Sequence, residues 1–245
     1  MKLLIDSGNT RLKWAYEQSE RLSQTYAIIN HNLNANILKD QWQHLPVPHQ
    51  IAIACVNSPL ILDLVQKTAQ SLWPYCPIVI AQSKAIELGI RNGYETPETL
   101  GIDRWLALIA AYQHFQRAIC VVDCGTAITI DITDDTGRHQ GGLIAPGLAL
   151  MQKSLTQNTA RLTFNDQPQA VGFANNTNAG IFNGSLFAAC GLIEHSLKLY
   201  NQPAQLVLTG GDASIIATQL ELPAFIDEHL VLRGLSLVTK YNFNQ

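Results

Sequence analysis

The sequence is poor in charge and in long apolar runs. Charged residues make up 14% of its 245 residues, the formal net charge is −3, and no run of Lys or Arg occurs. Nucleic-acid binding is therefore not expected, because it normally depends on a basic patch. The longest apolar run near mid-chain, residues 105–112, is far shorter than a membrane span, and Asp6 interrupts the apolar start. We therefore expect neither a membrane helix nor a signal peptide.

Cysteine is present but forms no recognisable pattern. The five cysteines are an odd number, no two have CxxC spacing, and the seven histidines do not cluster with them. This argues against a disulfide framework and against a zinc site. We therefore expect reduced thiols in a cytoplasmic protein.

Several common nucleotide-binding and catalytic signatures are missing as well. The sequence has no GxxxxGK[ST] loop, no GxGxxG after a strand, no HRD/DFG pair and no GxSxG elbow. P-loop NTPases, dinucleotide-binding enzymes, protein kinases and α/β-hydrolases are therefore not expected.

One short pattern occurs twice. An apolar strand, an Asp, a spacer, a Gly, a small polar residue and a second strand follow each other at residues 4–14 and again at residues 121–131. The two aspartates, Asp6 and Asp123, are 117 residues apart, close to half of the chain. The duplication predicts two related lobes, residues 1–117 and 118–245, each with one Asp and one glycine turn at a shared cleft.

Hydrophobic periodicity predicts an α/β fold. In the helix predicted over residues 179–200, several glycines suggest close packing on a sheet. The predicted strands are residues 2–6, 11–16, 51–56, 77–81, 118–124, 127–132 and 205–209, and the predicted helices are residues 60–72, 102–116, 148–155, 179–200 and 230–239.

The two hairpin turns are candidates for phosphate binding. Such a turn directs backbone N–H groups to one side, and glycine lets an anion approach the backbone. Asp6 and Asp123 can hold a hydrated cation beside phosphate oxygens, and Thr10 and Thr126 add hydroxyl donors. A single copy would be more simply an ordinary hairpin with an Asx-type turn, but two copies favour a polyphosphate site with its metal ion.

The start of the helix at residue 102 carries a candidate base and a candidate anion binder. Asp103 can accept a hydroxyl proton during phosphoryl transfer, or can serve only the helix dipole. Arg104 can bind a substrate carboxylate, or pair with Asp103 or Glu98. Tyr94 can pack on a substrate or anchor its loop.

Four further residues have a functional and a structural interpretation. Lys13 can neutralise phosphate charge or be a solvated strand residue. Gly210 and Gly211 follow an apolar strand, and can let the backbone lie against an adenosine or form an ordinary left-handed turn. Thr177 can contact a substrate or be the N-cap of its helix.

Taken in order, the motifs resemble those of the acetate and sugar kinase, Hsp70 and actin superfamily, and within it the type III pantothenate kinase family. The resemblance extends over essentially the whole chain and implies two duplicated ribonuclease H-like lobes, each a mixed sheet with flanking helices, around a central nucleotide cleft. The motifs that carry it are residues 6–10, 92–94 with 101–104, 123–131, 141–147, Thr177 and 209–211.

This resemblance implies ATP-dependent phosphorylation of pantothenate, the first step towards coenzyme A, by a homodimer that needs magnesium with ATP and a monovalent cation, potassium or ammonium. Asp103 would be the base and Asp123 the ligand of the monovalent cation. The implied pantothenate-binding residues are Tyr94, Gly101, Ile102, Asp103, Arg104 and, across the dimer interface, Thr177. The implied ATP-binding residues are Asp6, Ser7, Gly8, Asn9, Thr10, Arg11, Leu12, Lys13, Thr126, Gly210 and Gly211.

Two other functions remain open at this point. Some relatives of the family are accessory factors in gene regulation, so the chain could bind nucleotide without turnover. It could also phosphorylate another small hydroxylated acid. Asp6, Asp103 and Asp123 are all present and favour an enzyme. Residues 163–176 show the least family pattern, and no role is predicted for them.

Overall fold

The computed structural model describes residues 1–157 and 170–241, and the chain divides into two compact units. Unit 1 combines Met1–His114 with the chain from His229 onward, and unit 2 is Phe115–Glu228. The first division lies close to the predicted boundary after residue 117, but the predicted second lobe included the C-terminal helix. Residues 163–169, for which no role was predicted, lie outside the described residues.

The described residues form an α/β structure. The strands are β1 (Lys2–Ser7), β2 (Arg11–Gln18), β3 (Arg21–Leu22), β4 (Tyr26–Ile29), β5 (Gln50–Cys55), β6 (Ile78–Ile80), β7 (Ile86–Glu87), β8 (Ile90–Arg91), β9 (Ile119–Cys124), β10 (Ala127–Thr133), β11 (His139–Pro146), β12 (Gln205–Thr209) and β13 (Phe225–Ile226). The helices are α1 (Ala35–Trp42), α2 (Pro59–Leu72), α3 (Ile102–Phe115), α4 (Leu148–Gln157), α5 (Thr177–Tyr200), α6 (Ala213–Ala217) and α7 (Leu230–Tyr241).

The two units repeat one strand arrangement. In unit 1, β1 pairs antiparallel with β2 on one side and parallel with β5 on the other, and β5 continues parallel to β6. In unit 2, β9 pairs antiparallel with β10 and parallel with β12, and β12 continues parallel to β13. Each sheet is mixed and has helices in its unit, so the predicted α/β fold of two duplicated mixed sheets is confirmed.

Each sheet carries its own apolar core. In unit 1, alternate residues of β1, β2 and β5 are buried on one face together with Trp14, Trp42 and Trp73. The Trp42 ring stacks on Trp73 at 6.2 Å between centroids and meets Trp14 edge-on at 6.1 Å. In unit 2, the core lies between β9, β10, β12 and helix α5. These cores fix the strand registers, because a one-residue slip would move the apolar side chains to the opposite face.

Helix α7 corrects the predicted domain assignment. It contacts β1, β2 and β5 and thus packs on the sheet of unit 1. A side-chain carbon on Gly234 would lie 2.1 Å from the carbonyl oxygen of Leu106 in α3, so only glycine permits this approach of the two helices. The amphipathic pattern of residues 230–239 indicated a helix, but such a pattern does not specify the sheet against which the helix packs.

Helix α5 corrects two further expectations. A side-chain carbon on Gly180, Gly184 or Gly191 would meet no atom of the described residues within 4 Å, so these glycines do not pack on the sheet. The N-cap is Asn176, whose Oδ1 accepts a hydrogen bond from the backbone N–H of Ala179 at 3.0 Å. Thr177 is therefore the exposed first helical residue and not the N-cap.

Candidate active site

The first hairpin pairs an aspartate with a lysine across its two strands. Asp6 is the penultimate residue of β1, and its direct cross-strand partner on β2 is Lys13. Directly paired side chains in a sheet lie on the same face. The turn between them is closed by a hydrogen bond of 3.1 Å from the backbone N–H of Gly8 to the carbonyl oxygen of Arg11. Asn9 and Thr10 at the tip are exposed.

Two asparagines that sequence reasoning missed hold this turn by hydrogen bonds to its backbone carbonyl oxygens. The side-chain amide of Asn30 donates to the carbonyl oxygens of Gly8 and Asn9, both at 2.9 Å. The amide of Asn57 donates to the same Gly8 oxygen, also at 2.9 Å. Neither residue lies in a recognisable motif, since Asn30 follows β4 and Asn57 follows β5. No sequence signal could have found them.

Asp103 lies in the first turn of α3 beside a glycine that makes room for it. Its Oδ1 accepts a hydrogen bond of 2.8 Å from the backbone N–H of Arg104. A side-chain carbon on Gly101 would lie 2.7 Å from that same oxygen. The carbonyl oxygen of Gly101 accepts from the N–H of Trp105 at 3.0 Å and so begins the helix. Gly101 thus sets the helix start and the position of the Asp103 carboxylate.

Tyr94 and Arg104 are in direct contact. The guanidinium Nη1 donates to the Tyr94 hydroxyl at 2.8 Å, and its carbon lies 5.6 Å from the centre of the ring. The loop that carries Tyr94 is held by Asn92, whose Oδ1 accepts from the N–H of Tyr94 and whose amide donates to the carbonyl oxygens of Lys84 and Pro97. Arg104 is nearly buried, with 8% of its surface exposed. The predicted substrate segment is therefore an ordered cluster.

A buried carboxylate ties the β7–β8 hairpin to α3. Glu87 accepts a hydrogen bond from the Lys84 ammonium at 2.6 Å and another from the Trp105 indole N–H at 3.3 Å. Because Trp105 directly follows Arg104, these bonds hold the start of α3. The Glu87 side chain is 4% exposed, so the ion pair lies in a partly desolvated site.

In unit 2, Asp123 lies against two glycines. It is the penultimate residue of β9, as Asp6 is of β1. A side-chain carbon on Gly210 would lie 2.5 Å from Asp123 Oδ1, and one on Gly125 would lie 3.1 Å from it. Gly210 also has a φ of +90°, a backbone conformation that residues other than glycine rarely adopt. The structure thus shows Gly210 in a left-handed turn that leaves room for the Asp123 carboxylate.

The second turn is fixed by neighbours on both sides. The N–H of Gly147 donates to the carbonyl oxygen of Thr126 at 3.0 Å, and the N–H of Asp212 donates to that of Cys124 at 3.0 Å. Burial raises the pKa of the Cys124 thiol, and the carboxylates of Asp123 and Asp212 raise this pKa further. Asp212 is thus a second carboxylate near this turn, which the sequence showed only as the residue after Gly210-Gly211.

The predicted site residues therefore fall into local groups. Unit 1 brings Asp6 together with Lys13 through strand pairing, and Tyr94 with Arg104 and Asp103 through hydrogen bonds. Unit 2 brings Asp123 together with Gly125 and Gly210. Thr126, Thr177 and Gly211 are exposed.

The part of the chain that the structure describes contains neither a metal-binding cluster nor a membrane-spanning helix. Within residues 1–157 and 170–241, no three or more His, Cys, Asp or Glu side chains are grouped so as to hold a metal ion. In the same ranges, no helix combines the length and apolar character needed to cross a membrane. All five cysteines are free thiols.

Solved structures share this fold. A Campylobacter jejuni protein assigned to the Baf family of transcriptional activators is 26% identical, covers 99% of this chain and 100% of its own, and has a TM-score of 0.63. MreB 5 of Spiroplasma citri, solved with AMPPNP, is 11% identical with a TM-score of 0.53 over 99% of this chain and 97% of its own. At that identity the second likeness concerns the fold alone, which is the actin-like ATPase fold.

Sequence comparison identifies the family. The type III pantothenate kinase from Nitrosococcus oceani is 36% identical over 98% of this chain and 94% of its own length. The family description that matches residues 2–198 is likewise that of type III pantothenate kinase. Together with the two Asp-glycine turns and the Asp103 segment, these matches show that the chain belongs to the type III pantothenate kinase family.

Proposed function

We propose that this chain transfers the γ-phosphoryl group of ATP to the primary hydroxyl of pantothenate, the first step of coenzyme A biosynthesis. Family membership supports both the reaction and its substrates. The observation that carries the proposal is the Asp103 carboxylate, which has a fixed orientation at the start of α3 and directly adjoins Arg104. A base and an anion binder on consecutive residues suit a hydroxylated carboxylic acid.

Asp103 is the proposed general base. Its Oδ1 is oriented by the N–H of Arg104, so the carboxylate cannot rotate without losing that bond. As the bond between the hydroxyl oxygen and the γ-phosphorus forms, the hydroxyl proton passes to Asp103 and the bond from phosphorus to the bridging oxygen of ADP breaks. In such transfers the protein contributes mainly by positioning and by charge stabilisation.

Arg104 and Tyr94 are the proposed binders of the pantothenate carboxylate. A guanidinium binds a carboxylate through a planar pair of donors, and the Tyr94 hydroxyl orients this guanidinium through one of its nitrogens. Gly101 and Ile102 complete the segment, and Thr177 is proposed to contact the substrate as well. The exposure of Thr177 at the start of α5 is compatible with such a contact.

Both hairpin turns are proposed to bind the phosphates of ATP. The pairing of Lys13 with Asp6 places one positive and one negative group at the first turn, where the Asp suits magnesium and the Lys suits phosphate. Bound magnesium would neutralise phosphate charge. The proposed ATP-binding residues are Asp6, Ser7, Gly8, Asn9, Thr10, Arg11, Leu12, Lys13, Thr126, Gly210 and Gly211.

Asp123 is the proposed ligand of a monovalent cation, potassium or ammonium. Potassium is commonly bound by carbonyl oxygens, and the Cys124 carbonyl lies close to Gly210 next to this carboxylate. The donor set therefore fits such an ion, which would supply fixed positive charge beside the phosphates. Turnover should be lower in sodium-only buffer than in potassium, and equal rates would contradict this assignment.

A homodimer is proposed through the side of unit 2 formed by α4 and α5. Leu150 on α4 and Phe187 on α5 are exposed, and Leu150 lines a cavity together with Gly184 of α5. Exposed apolar side chains of this kind mark interaction surfaces. A monomer in sedimentation at micromolar concentration would contradict the dimer. We also propose a cytoplasmic location, which the five free thiols support.

The decisive experiment is ADP release by the purified protein with ATP, magnesium and potassium, with and without pantothenate. Release that depends on pantothenate supports the proposed reaction. If ADP is released only with another small hydroxylated acid, that acid replaces pantothenate as the proposed substrate. Tight ATP binding without any release would instead favour a regulatory protein, the function suggested by the name of the Campylobacter jejuni relative.

A further inference from the structure

Three side-chain contacts converge on the back of the first hairpin turn. The Asn30 amide nitrogen lies 2.9 Å from the carbonyl oxygen of Gly8 and 2.9 Å from that of Asn9. The Asn57 amide nitrogen lies 2.9 Å from the same Gly8 oxygen. Two asparagines from separate loops therefore hold two consecutive peptide groups of the turn.

The orientation of both amides is unambiguous. Carbonyl oxygens can only accept, so the atom that faces them must be the NH₂ group in each case. The Asn57 oxygen in turn accepts from the backbone N–H of Ser58 at 2.6 Å, which fixes this side chain at the start of α2. Asn30 is fixed by its own backbone N–H, which donates to the Thr10 carbonyl at 2.8 Å.

The direction of these carbonyls determines the direction of the neighbouring N–H groups. The chain has no cis peptide bond among its described residues, and in a trans peptide the C=O and the following N–H point in opposite directions. Since the Gly8 and Asn9 carbonyls point at Asn30, the N–H groups of Asn9 and Thr10 point to the opposite side. Successive N–H groups directed to one side form an anion-binding concavity.

We infer that Asn30 and Asn57 are positioning residues for the nucleotide phosphates. They do not contact the phosphates themselves. They hold the Gly8–Asn9 and Asn9–Thr10 peptides in the orientation that presents two N–H donors to phosphate oxygens. This inference rests on the proposed ATP binding at the first turn. It adds that two residues outside the turn determine the geometry of the turn.

The Gly8 carbonyl oxygen accepts from both asparagines, and this predicts how the effects of the two substitutions combine. Without Asn57, the Gly8 carbonyl keeps its bond to Asn30, whereas without Asn30 the Asn9 carbonyl loses the amide that it accepts from. The Asn30→Ala change should therefore be the more harmful of the two. The double variant should lose more than the product of the single effects, because only then does the Gly8 carbonyl lose both donors.

The test compares Asn30→Ala, Asn57→Ala and the double variant with Asn34→Ala in the full chain. Asn34 is a matched control, because its side chain caps α1 by accepting from the N–H of Ile37 at 3.0 Å, away from the turn. Magnesium-ATP affinity is measured by calorimetry without pantothenate, and melting temperature and both KM values are measured alongside. Asn30→Ala should weaken ATP binding roughly tenfold, the scale of one charge-assisted hydrogen bond.

The pattern of effects separates positioning from general loss of stability. ATP affinity and the KM for ATP should change in the Asn30 and Asn57 variants while the KM for pantothenate stays the same, and Asn34→Ala should lower only the melting temperature. Unchanged ATP affinity in Asn30→Ala, or an equal loss in Asn34→Ala, would overturn the inference. Because ATP binding is measured without turnover, the positioning inference can be supported even if pantothenate proves not to be the substrate. Absence of ATP binding by the unmodified protein would overturn both this inference and the proposed ATP site.

Discussion

Among single residues, two glycines shape the candidate site by leaving space for a carboxylate. Gly101 leaves room for the Asp103 oxygen that α3 orients, and Gly210 leaves room for Asp123. The sequence indicated both glycines through motifs but assigned them direct ligand contacts. Their structural role follows from distances to side chains, which sequence spacing does not contain.

Replacing Gly210 should displace Asp123. In Gly210→Ala the new methyl group would meet Asp123 Oδ1 and the Cys124 carbonyl at 2.5–2.6 Å, at a φ of +90°. We expect a loss of roughly 1–3 kcal/mol in unfolding free energy from strain, measured by urea denaturation. In Gly211→Ala the methyl group would have nothing within 4 Å, so this variant should unfold at nearly the original urea concentration. Equal destabilisation by both changes would contradict the steric argument.

Removing the proposed base should affect turnover and not folding. Asp103→Asn keeps the shape of the side chain and an oxygen that can accept from the Arg104 N–H. We expect kcat to fall roughly 10²-fold or more, the scale of general-base catalysis, with an unchanged melting temperature. Asp63→Asn is a suitable control, since Asp63 is an exposed residue of α2 paired with Lys67. Near-normal turnover of Asp103→Asn would remove Asp103 from the mechanism.

Among the elements, the central strands and the long helices could be predicted, whereas several edge strands and the short connecting pieces could not. Residues of β1, β9 and β12 form apolar runs, and their bounds agree closely with the prediction. The two-residue strands, β4 and helix α1 were missed, because so few residues show no clear period. The eight-residue strand β11 was missed as well, because it contains two consecutive glycines and is mostly exposed. Helix α1 instead depends on its Asn34 cap and on two buried side chains, Leu38 and Trp42.

The hairpin between β10 and β11 offers a test of pH dependence. Burial alone would raise the pKa of the Asp134 carboxyl, but hydrogen bonds from the Thr136 hydroxyl and from the N–H groups of Arg138 and Thr136 lower this pKa below its usual value. The ionised carboxylate therefore stabilises the fold above the pKa of the unfolded chain, and this contribution is lost as pH falls through the lower folded pKa.

Asp134→Ala should thus lower the unfolding free energy by about 1 kcal/mol at pH 7. The difference from the unmodified protein should shrink as the pH falls below about 4, which urea titrations over a pH series would show. Asp135→Ala, a change in the same turn, is the control variant for this titration. A difference that stays constant with pH would show that the charge of Asp134 is not the cause.

At the scale of the whole chain, the return of α7 to unit 1 is the main departure from the sequence prediction. The internal repeat suggested a division into halves, and the repeated strand order confirms the duplication. The last helix nevertheless packs on the sheet of unit 1, with Gly234 against Leu106 of α3. Sequence periodicity identifies an apolar helix face but does not name its partner, so this contact required the structure.

Gly234→Ala should weaken the packing of α7. Its methyl group would lie 2.1 Å from the Leu106 carbonyl oxygen and would force the two helices apart, at a cost of about 1–3 kcal/mol in unfolding free energy. In Gly191→Ala, by contrast, the new methyl group faces open space, and the higher helix propensity should add roughly 0.5–1 kcal/mol. Chemical denaturation should show a lower unfolding free energy for Gly234→Ala and a higher one for Gly191→Ala. A Gly234→Ala variant as stable as the unmodified protein would contradict the close approach of α7 to α3.

The path of the chain also has a consequence for synthesis on the ribosome. Residues 115–228 form a complete unit, whereas the unit that begins at Met1 is completed only by α7. During translation, domains generally fold as they emerge, from the N-terminus onward. Here unit 2 can finish folding first. The sheet face formed by β1, β2 and β5 lacks its contacts with α7 until this helix leaves the exit tunnel. Nascent chains halted before residue 230 should accordingly depend most on chaperones.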